Sequence, residues 1–361
     1  MSIRTLILSF TLLLSGITHA DTAFRQLHLD EDKARPLDVA VWYPTTQTGK
    51  TETVGDNPVF VGTPALRNAQ PAGGAHPLLL LSHGYGGNWR NLNWLAQRMA
   101  AQGYIVAAPD HPGTTSRNKA QQDAWQLWQR PRDLRRVMNR IIDNPAIAGD
   151  VDTGRIAAIG HSLGGWTVME LAGARFDAGR FQRDCKNHAV LASCKLIPAL
   201  GIDRPAASGP LMESQREPRI NAVVSLDLGL ARGFTPGSLA QLNVPVLILS
   251  AQADSDALPA RLESGYLQRY IPAAKQRAQS VTGATHFSFM QLCKPGAKAL
   301  IEEHDPGEGI VCDDGGSLSR ADIHQTLSDT ISAFLQQALD YPPLHGETPL
   351  GSSRSTAQTR G

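Results

Sequence analysis

Gly160-His161-Ser162-Leu163-Gly164 is a G-x-S-x-G pattern. Ahead of it, the apolar run Ile156 to Ile159 reads as a buried strand; behind it, Trp166, Met169, Glu170 and Leu171 have helical spacing. A serine in a tight strand-to-helix turn projects its hydroxyl at a helix N-terminus, where the dipole favours developing negative charge. Small neighbours let the strand and the helix approach closely. That is a setting for a nucleophile, but a serine hydroxyl needs a histidine to take its proton, and a carboxylate to orient that histidine. His286, in "VTGATHFSF" after the last predicted strand, is the candidate base. Three carboxylates compete for the third place. Asp254 closes "VPVLILSAQAD" and is preferred because it ends a strong strand; Asp227 closes the preceding strand in "VVSLDLG", and Asp256 lies two residues beyond Asp254. The oxyanion formed by serine attack needs backbone N–H donors. Leu163, directly after the serine, would supply one, and Tyr85, in "LLLLSHGYGG", the other.

These residues need elements that bring them to one edge. "FRQLHLD" and "LDVAVWYPT" read as an antiparallel entry hairpin, and residues 45–76 as loop. A regular alternation follows. Strands are expected at 77–82, 104–110, 155–160, 220–227, 244–254 and in "QRAQSV", with helices in "NLNWLAQRMAAQG", near Pro131, over 162–174, in "ARLESGYLQRYI" and in "RADIHQTLSDTISAFLQQAL". Near-continuous apolar strands between helices imply an α/β chain with a mostly parallel sheet buried on both faces. Ligands of such sheets bind beyond the carboxyl ends of the strands, where Tyr85, Ser162, Asp227, Asp254 and His286 all fall.

The 361-residue chain is 42% hydrophobic and 19% charged, with a formal net charge of +1. That balance gives no electrostatic case for nucleic acid or an anionic membrane. Residues 1–20 have a basic start, a short apolar core and Ala20 at the end, the pattern of a secretory signal peptide too short to span a bilayer. Export implies an oxidising compartment with two disulfides, for which sequence proximity favours Cys185 with Cys194 and Cys293 with Cys312 among the three pairings that four cysteines allow. No C-x-x-C zinc motif, G-x-G-x-x-G or P-loop occurs, so neither metal nor organic cofactor is expected. Glu308, Asp313 and Asp314 lack the spacing of a calcium loop and read as a solvated acidic loop. His83 and His111 are read as supports of the loop architecture, His83 ordering the loop that carries Tyr85. No coiled-coil seam or other assembly signal is visible.

The runs "LLLLSHGYGG", "RIAAIGHSLGG", "VPVLILSAQAD" and "ATHFSFMQLC" together resemble the α/β-hydrolase superfamily. More narrowly they resemble bacterial predicted dienelactone hydrolases, a group similar to platelet-activating-factor acetylhydrolases. The resemblance implies an α/β-hydrolase fold, with the hydrolase domain over 21–342. The segment 176–219 interrupts the strand–helix alternation and reads as a lid-like insertion, and the polar Gly-, Ser- and Thr-rich tail over 343–361 reads as disordered. It implies Ser162 as nucleophile, His286 as base, and Tyr85 and Leu163 as oxyanion donors. The bacterial pattern points to Asp254 as acid and the acetylhydrolase-like pattern to Asp227, and both stay open. The implied activity is cleavage of carboxylic esters (short-chain, aromatic, lipid-acetyl or polyester) through an acyl-enzyme. An acyltransferase would run the same chemistry and be marked by acyl transfer to an added alcohol. A non-catalytic binding protein on this fold would be expected to lack a triad member, and all candidates are present here.

Overall fold

The computed structural model describes residues 21–29, 34–253, 255–316 and 318–340. The expected signal segment 1–20, the tail 343–361 and Asp254 lie outside the described residues.

Ten strands form one sheet in the order β10-β9-β8-β7-β5-β6-β2-β1-β4-β3. The strands that matter to the site are β5 (Ala75–Ser82), β6 (Ile105–Pro109), β7 (Asp150–His161), β8 (Ile220–Leu226), β9 (Val246–Ala251) and β10 (Gln276–Val281). These six are mutually parallel. The entry hairpin, β1 (Asp21–Leu29) and β2 (Leu37–Thr45), is antiparallel as expected and joins the parallel set through an antiparallel β2–β6 pairing.

Strand geometry sends successive side chains to opposite faces, and in the inner strands both faces are dry. Leu78, Leu80, Ile156 and Ala158 enter one core; Leu79, Leu81, Ala157 and Ile159 enter the other. Leu134, Val137, Met138 and Ile141 of the Gln129–Ile142 helix, with Trp166 of the Leu163–Ala172 helix, pack on the first face. The second face is covered by Trp94, Leu95 and Met99 of the Asn93–Ala101 helix and by Ile323, Leu327 and Ile331 of the Arg320–Ala338 helix. This double burial explains why the strands read as unbroken apolar runs.

One expectation needs correction. The segment read as loop contains β3 (Glu52–Val54) and β4 (Thr63–Arg67), which pair antiparallel with each other. They extend the sheet because β4 lies parallel to β1, Ala23 opposite Leu66. The insertion at 176–219 is helical, with helices Ala178–Asn187 and Ser208–Met212. Its Phe176, Phe181, Leu200 and Ile202 are fully buried in the first core. Both disulfides form as expected, Cys185 with Cys194 and Cys293 with Cys312.

Candidate active site

The G-x-S-x-G turn is dictated by close approach. A Cβ on Gly160 would lie 2.0 Å from the carbonyl oxygen of Gly164, and one on Gly164 would lie 1.9 Å from that of Ser82. A Cβ on Gly165 would meet Leu228 Cβ at 2.6 Å. No side chain fits at these three places, so the Leu163–Ala172 helix can start directly off β7 only with glycines there. Ser162 takes up the remaining bend with φ 55° and ψ −119°, a region that costs a non-glycine residue of order 1–3 kcal/mol and is held only by its surroundings. The holding groups are Leu226, whose carbonyl accepts the Ser162 N–H at 2.9 Å, and the first helical turn, where the Gly165 N–H donates to the Ser162 carbonyl at 2.9 Å.

Ser162 Oγ lies 3.0 Å from His286 Nε2. On the other side of the ring, Nδ1 lies 2.7 Å from Asp227 Oδ2. A carboxylate only accepts, so Nδ1 carries the ring proton and Nε2 is free to accept from the serine hydroxyl. Asp227 is nearly buried, and its second oxygen, Oδ1, accepts the Ala251 N–H at 2.9 Å. Its backbone N–H donates to Leu249 at 2.7 Å, and its φ is 45°. Asp227 thus sits where β8 ends, clamped to β9 and one strand over from Ser162.

Sequence reasoning preferred Asp254 for this position. The Nδ1 proton of His286 is engaged by Asp227, while Asp254 lies outside the described residues. The geometric reason is sheet order: β8 is the immediate neighbour of β7, and β9 is one strand further away. Asp256, the third alternative, forms neither a hydrogen bond nor an ion pair with the His286 ring, whose partners are Asp227 and Ser162.

His286 opens a short 3-10 turn, His286–Phe289, whose placement is secured from several sides. His161 Nε2 donates to the His286 carbonyl at 2.8 Å, and the two rings lie 4.8 Å apart. Burial above all, with the nearby His286 as a second cause, pushes His161 down to about 3, so it is a neutral donor. Thr285 Oγ1 donates to the Asp313 carbonyl at 2.8 Å, and Ser288 Oγ to Asp314 Oδ1 at 2.5 Å. Arg320 ties the other side of this acidic segment, from Nε to Asp314 at 3.0 Å and from Nη1 to the Val311 carbonyl at 2.9 Å. The loop expected to be a solvated acidic stretch is therefore a brace for the histidine turn. Sequence reasoning missed that role, although the Cys293–Cys312 pair flanking it was a signal that the segment folds back.

Tyr85 is 44% exposed beside this constellation. A Cβ on Gly84 would lie 3.1 Å from Ser162 Cβ, so the backbone leading into Tyr85 runs against Ser162. Neither the Tyr85 N–H nor the Leu163 N–H has an acceptor among the described residues. His111 is fully buried between Ser82 Oγ, 3.0 Å from its Nε2, and Asp133, 3.0 Å from its Nδ1, and so supports the loops rather than lining a pocket.

A family model described as "Alpha/beta hydrolase family" matches residues 78–292, more than half of the chain. The chain belongs to that family. A stretch of 101 residues, 27% of this chain, is 31% identical to a cutinase, est2, of Thermobifida alba and covers 31% of that protein. The platelet-activating factor acetylhydrolase of Cavia porcellus is 25% identical over 212 residues, with 44% of this chain and 48% of that protein covered. The matched stretches thus span about a third of the cutinase and about half of the acetylhydrolase. A ferulic acid esterase from Streptomyces cinnamoneus shares the fold, with a TM-score of 0.63 and 22% identity, over 95% of this chain and 96% of that one.

Proposed function

We propose that this protein is an exported serine hydrolase of carboxylic esters, with Ser162 as nucleophile, His286 as base and Asp227 as the acid that orients it. The observation that carries the reading is the unbroken relay from Ser162 Oγ through His286 to Asp227, at 3.0 and 2.7 Å. His286 Nε2 takes the hydroxyl proton as Oγ attacks an ester carbonyl, and Asp227 stabilises the charge that the ring acquires. The Leu163 and Tyr85 N–H groups receive the oxyanion. Collapse expels the alcohol with a proton from His286, leaving an acyl-enzyme. Water then gives its proton to the same nitrogen and attacks the acyl carbon, releasing the acid.

The site lies at the surface, with Tyr85 exposed and Ser162 and His286 half-buried. An open rim suits the end of a bulky or polymeric ester, or a short acyl group, better than a long acyl chain. Cutinases, an acetylhydrolase and a bis(hydroxyethyl) terephthalate hydrolase among the relatives agree with that range. The insertion would form one wall of the site rather than a swinging lid. Its Ala192 N–H donates to the Ala257 carbonyl, and Ser193 borders Gly229, two residues beyond Asp227. Export agrees with the two disulfides; among the described residues no helix is long and apolar enough to cross a membrane.

The test is hydrolysis of p-nitrophenyl esters from acetate to palmitate by the mature protein and by Ser162→Ala. Turnover should peak at short chains and fall by at least about 10³-fold in the variant. A folded wild type inert towards the whole series would sink the reading.

A further inference from the structure

A buried histidine fastens the loop that carries Tyr85 from behind. His83 Nδ1 lies 2.7 Å from the carbonyl oxygen of Gly84. A carbonyl only accepts, so Nδ1 bears the proton. Separately, the His111 backbone N–H donates to Nε2 of the same ring at 3.0 Å, so that nitrogen is bare. Two independent contacts require one neutral tautomer. Burial, reinforced by Arg130 and His111 nearby, keeps the ring well below the ordinary histidine range and so preserves it.

The Gly84 carbonyl and the Tyr85 N–H belong to one trans peptide, in which they point in opposite directions. A contact that holds the carbonyl towards the buried ring therefore holds the N–H the other way. The Gly87 N–H, at 3.2 Å, is a second donor to the same carbonyl, and the Gly86 N–H is pinned to Thr114 at 2.9 Å. Arg130, fully buried, fixes the frame beneath. It donates to the His83 carbonyl, to Ser82 Oγ at 3.2 Å, to Thr114 Oγ1 at 2.5 Å and to Thr167 Oγ1 at 2.9 Å. Asp133, gripped by Arg35 at 2.8 and 2.9 Å, supplies the opposing charge.

We propose that His83 is a positioning residue for the oxyanion site: its Nδ1–H holds the Gly84 carbonyl inward, so that the Tyr85 N–H faces the oxygen of a tetrahedral intermediate on Ser162. Without that donor the Gly84 carbonyl keeps only the longer bond from the Gly87 N–H, at 3.2 Å, and the peptide turns more readily to present an acceptor where negative charge develops. The inference deepens the serine-hydrolase reading and rests on it, since without the acyl-enzyme there is no oxyanion to bind.

Three substitutions separate this role from mere packing. In His83→Asn the amide nitrogen lies near the place of Nδ1 and can donate to Gly84. In His83→Gln the amide reaches towards the place of Nε2 and can accept from His111, but the Gly84 donor is lost. His83→Ala loses both. With p-nitrophenyl butyrate, the Ala and Gln variants should lose kcat by about 10- to 100-fold, somewhat less than outright loss of an oxyanion donor. KM should change by less than about threefold, and the acid limb of the kcat/KM profile should stay in place, because the relay is untouched. The Asn variant should recover kcat to within about fivefold of wild type. If Ala does not fold, the Asn–Gln pair carries the comparison. Gln performing as well as Asn, or Ala keeping wild-type kcat, would overturn the positioning role and leave the hydrolase reading standing. Activity that survives in Ser162→Ala would overturn both.

Discussion

Asp227 holds its place through both carboxylate oxygens, one on His286 at 2.7 Å and one on the Ala251 N–H at 2.9 Å. An amide in its place could keep the Ala251 bond while presenting an N–H to Nδ1, which would favour the wrong tautomer of His286. Asp227→Asn should therefore cost about 10³- to 10⁴-fold in kcat with the fold intact. Asp254→Asn should cost less than about tenfold. Measuring both side by side decides the acid, and a larger loss at Asp254 would reverse the assignment. The sequence offered both carboxylates because each ends or follows a strong apolar strand. Which one meets the histidine depends on how far the loop after β10 reaches back over β9 towards β8. That is a distance between segments about 60 residues apart, and no local pattern encodes it. Ser162 and His286 were legible because their signals are local: glycines at a strand-to-helix turn, and a histidine in the turn after the last strand.

The elements around the site divide into those that position it by contact and those that position it by covalent closure. Gly164 belongs to the first kind. Gly164→Ala would drive a methyl to 1.9 Å from the Ser82 carbonyl, at the end of the strand that leads into the Tyr85 loop. Overpacking of this kind costs about 1–3 kcal/mol, and a backbone neighbour that cannot swing aside puts it at the upper end. Urea denaturation should show that loss, with activity falling as well, because Ser82 and His83 must move. The two disulfides are the second kind. They join cysteines 19 and 9 residues apart, so each should stabilise by about 3 kcal/mol through loop closure. Their functional effects should differ. Removing Cys293–Cys312 by double Ala substitution frees the segment that braces Thr285, Ser288 and Arg320, so kcat should fall even well below the unfolding temperature. Removing Cys185–Cys194 should cost similar stability and leave kcat on p-nitrophenyl acetate within about threefold. Equal losses of kcat would show that the histidine turn is held by Arg320 and the hydrogen bonds alone. The inner parallel strands β5 to β9 were legible because burial on both faces writes an unbroken apolar run, whereas β10 is a polar, mostly exposed edge strand. β3 and β4 were not legible, since they are only three and five residues long and are held in the sheet through β1, far back along the chain.

Taken whole, the molecule buries several ionisable groups away from the relay, and they make its stability depend on pH. Glu170 shows the linkage most cleanly. It lies fully enclosed in the Leu163–Ala172 helix with Oε1 unpartnered, and burial raises its carboxyl well above the usual range, offset only in part by a backbone hydrogen bond from Phe176. In the folded chain Glu170 keeps its proton where the unfolded chain has released it. The folded state therefore binds more protons above the ordinary carboxyl pKa of 4.5, and stability is lost as pH rises through that window. The loss levels off once pH exceeds the folded value. Glu170→Gln removes the titration while preserving shape, so the variant-minus-wild-type stability should grow with pH. The gain can be no steeper than about 1.4 kcal/mol per pH unit, the limit for one proton. The difference between the two proteins cancels the opposing contribution of the buried neutral histidines His83, His111, His161 and His324. Those four are held below their ordinary pKa and destabilise the fold as pH falls below about 6.5. Urea midpoints of both proteins from pH 4 to 8 supply the measurement. A constant difference would mean that Glu170 is ionised in the folded chain and finds a cationic partner when it charges.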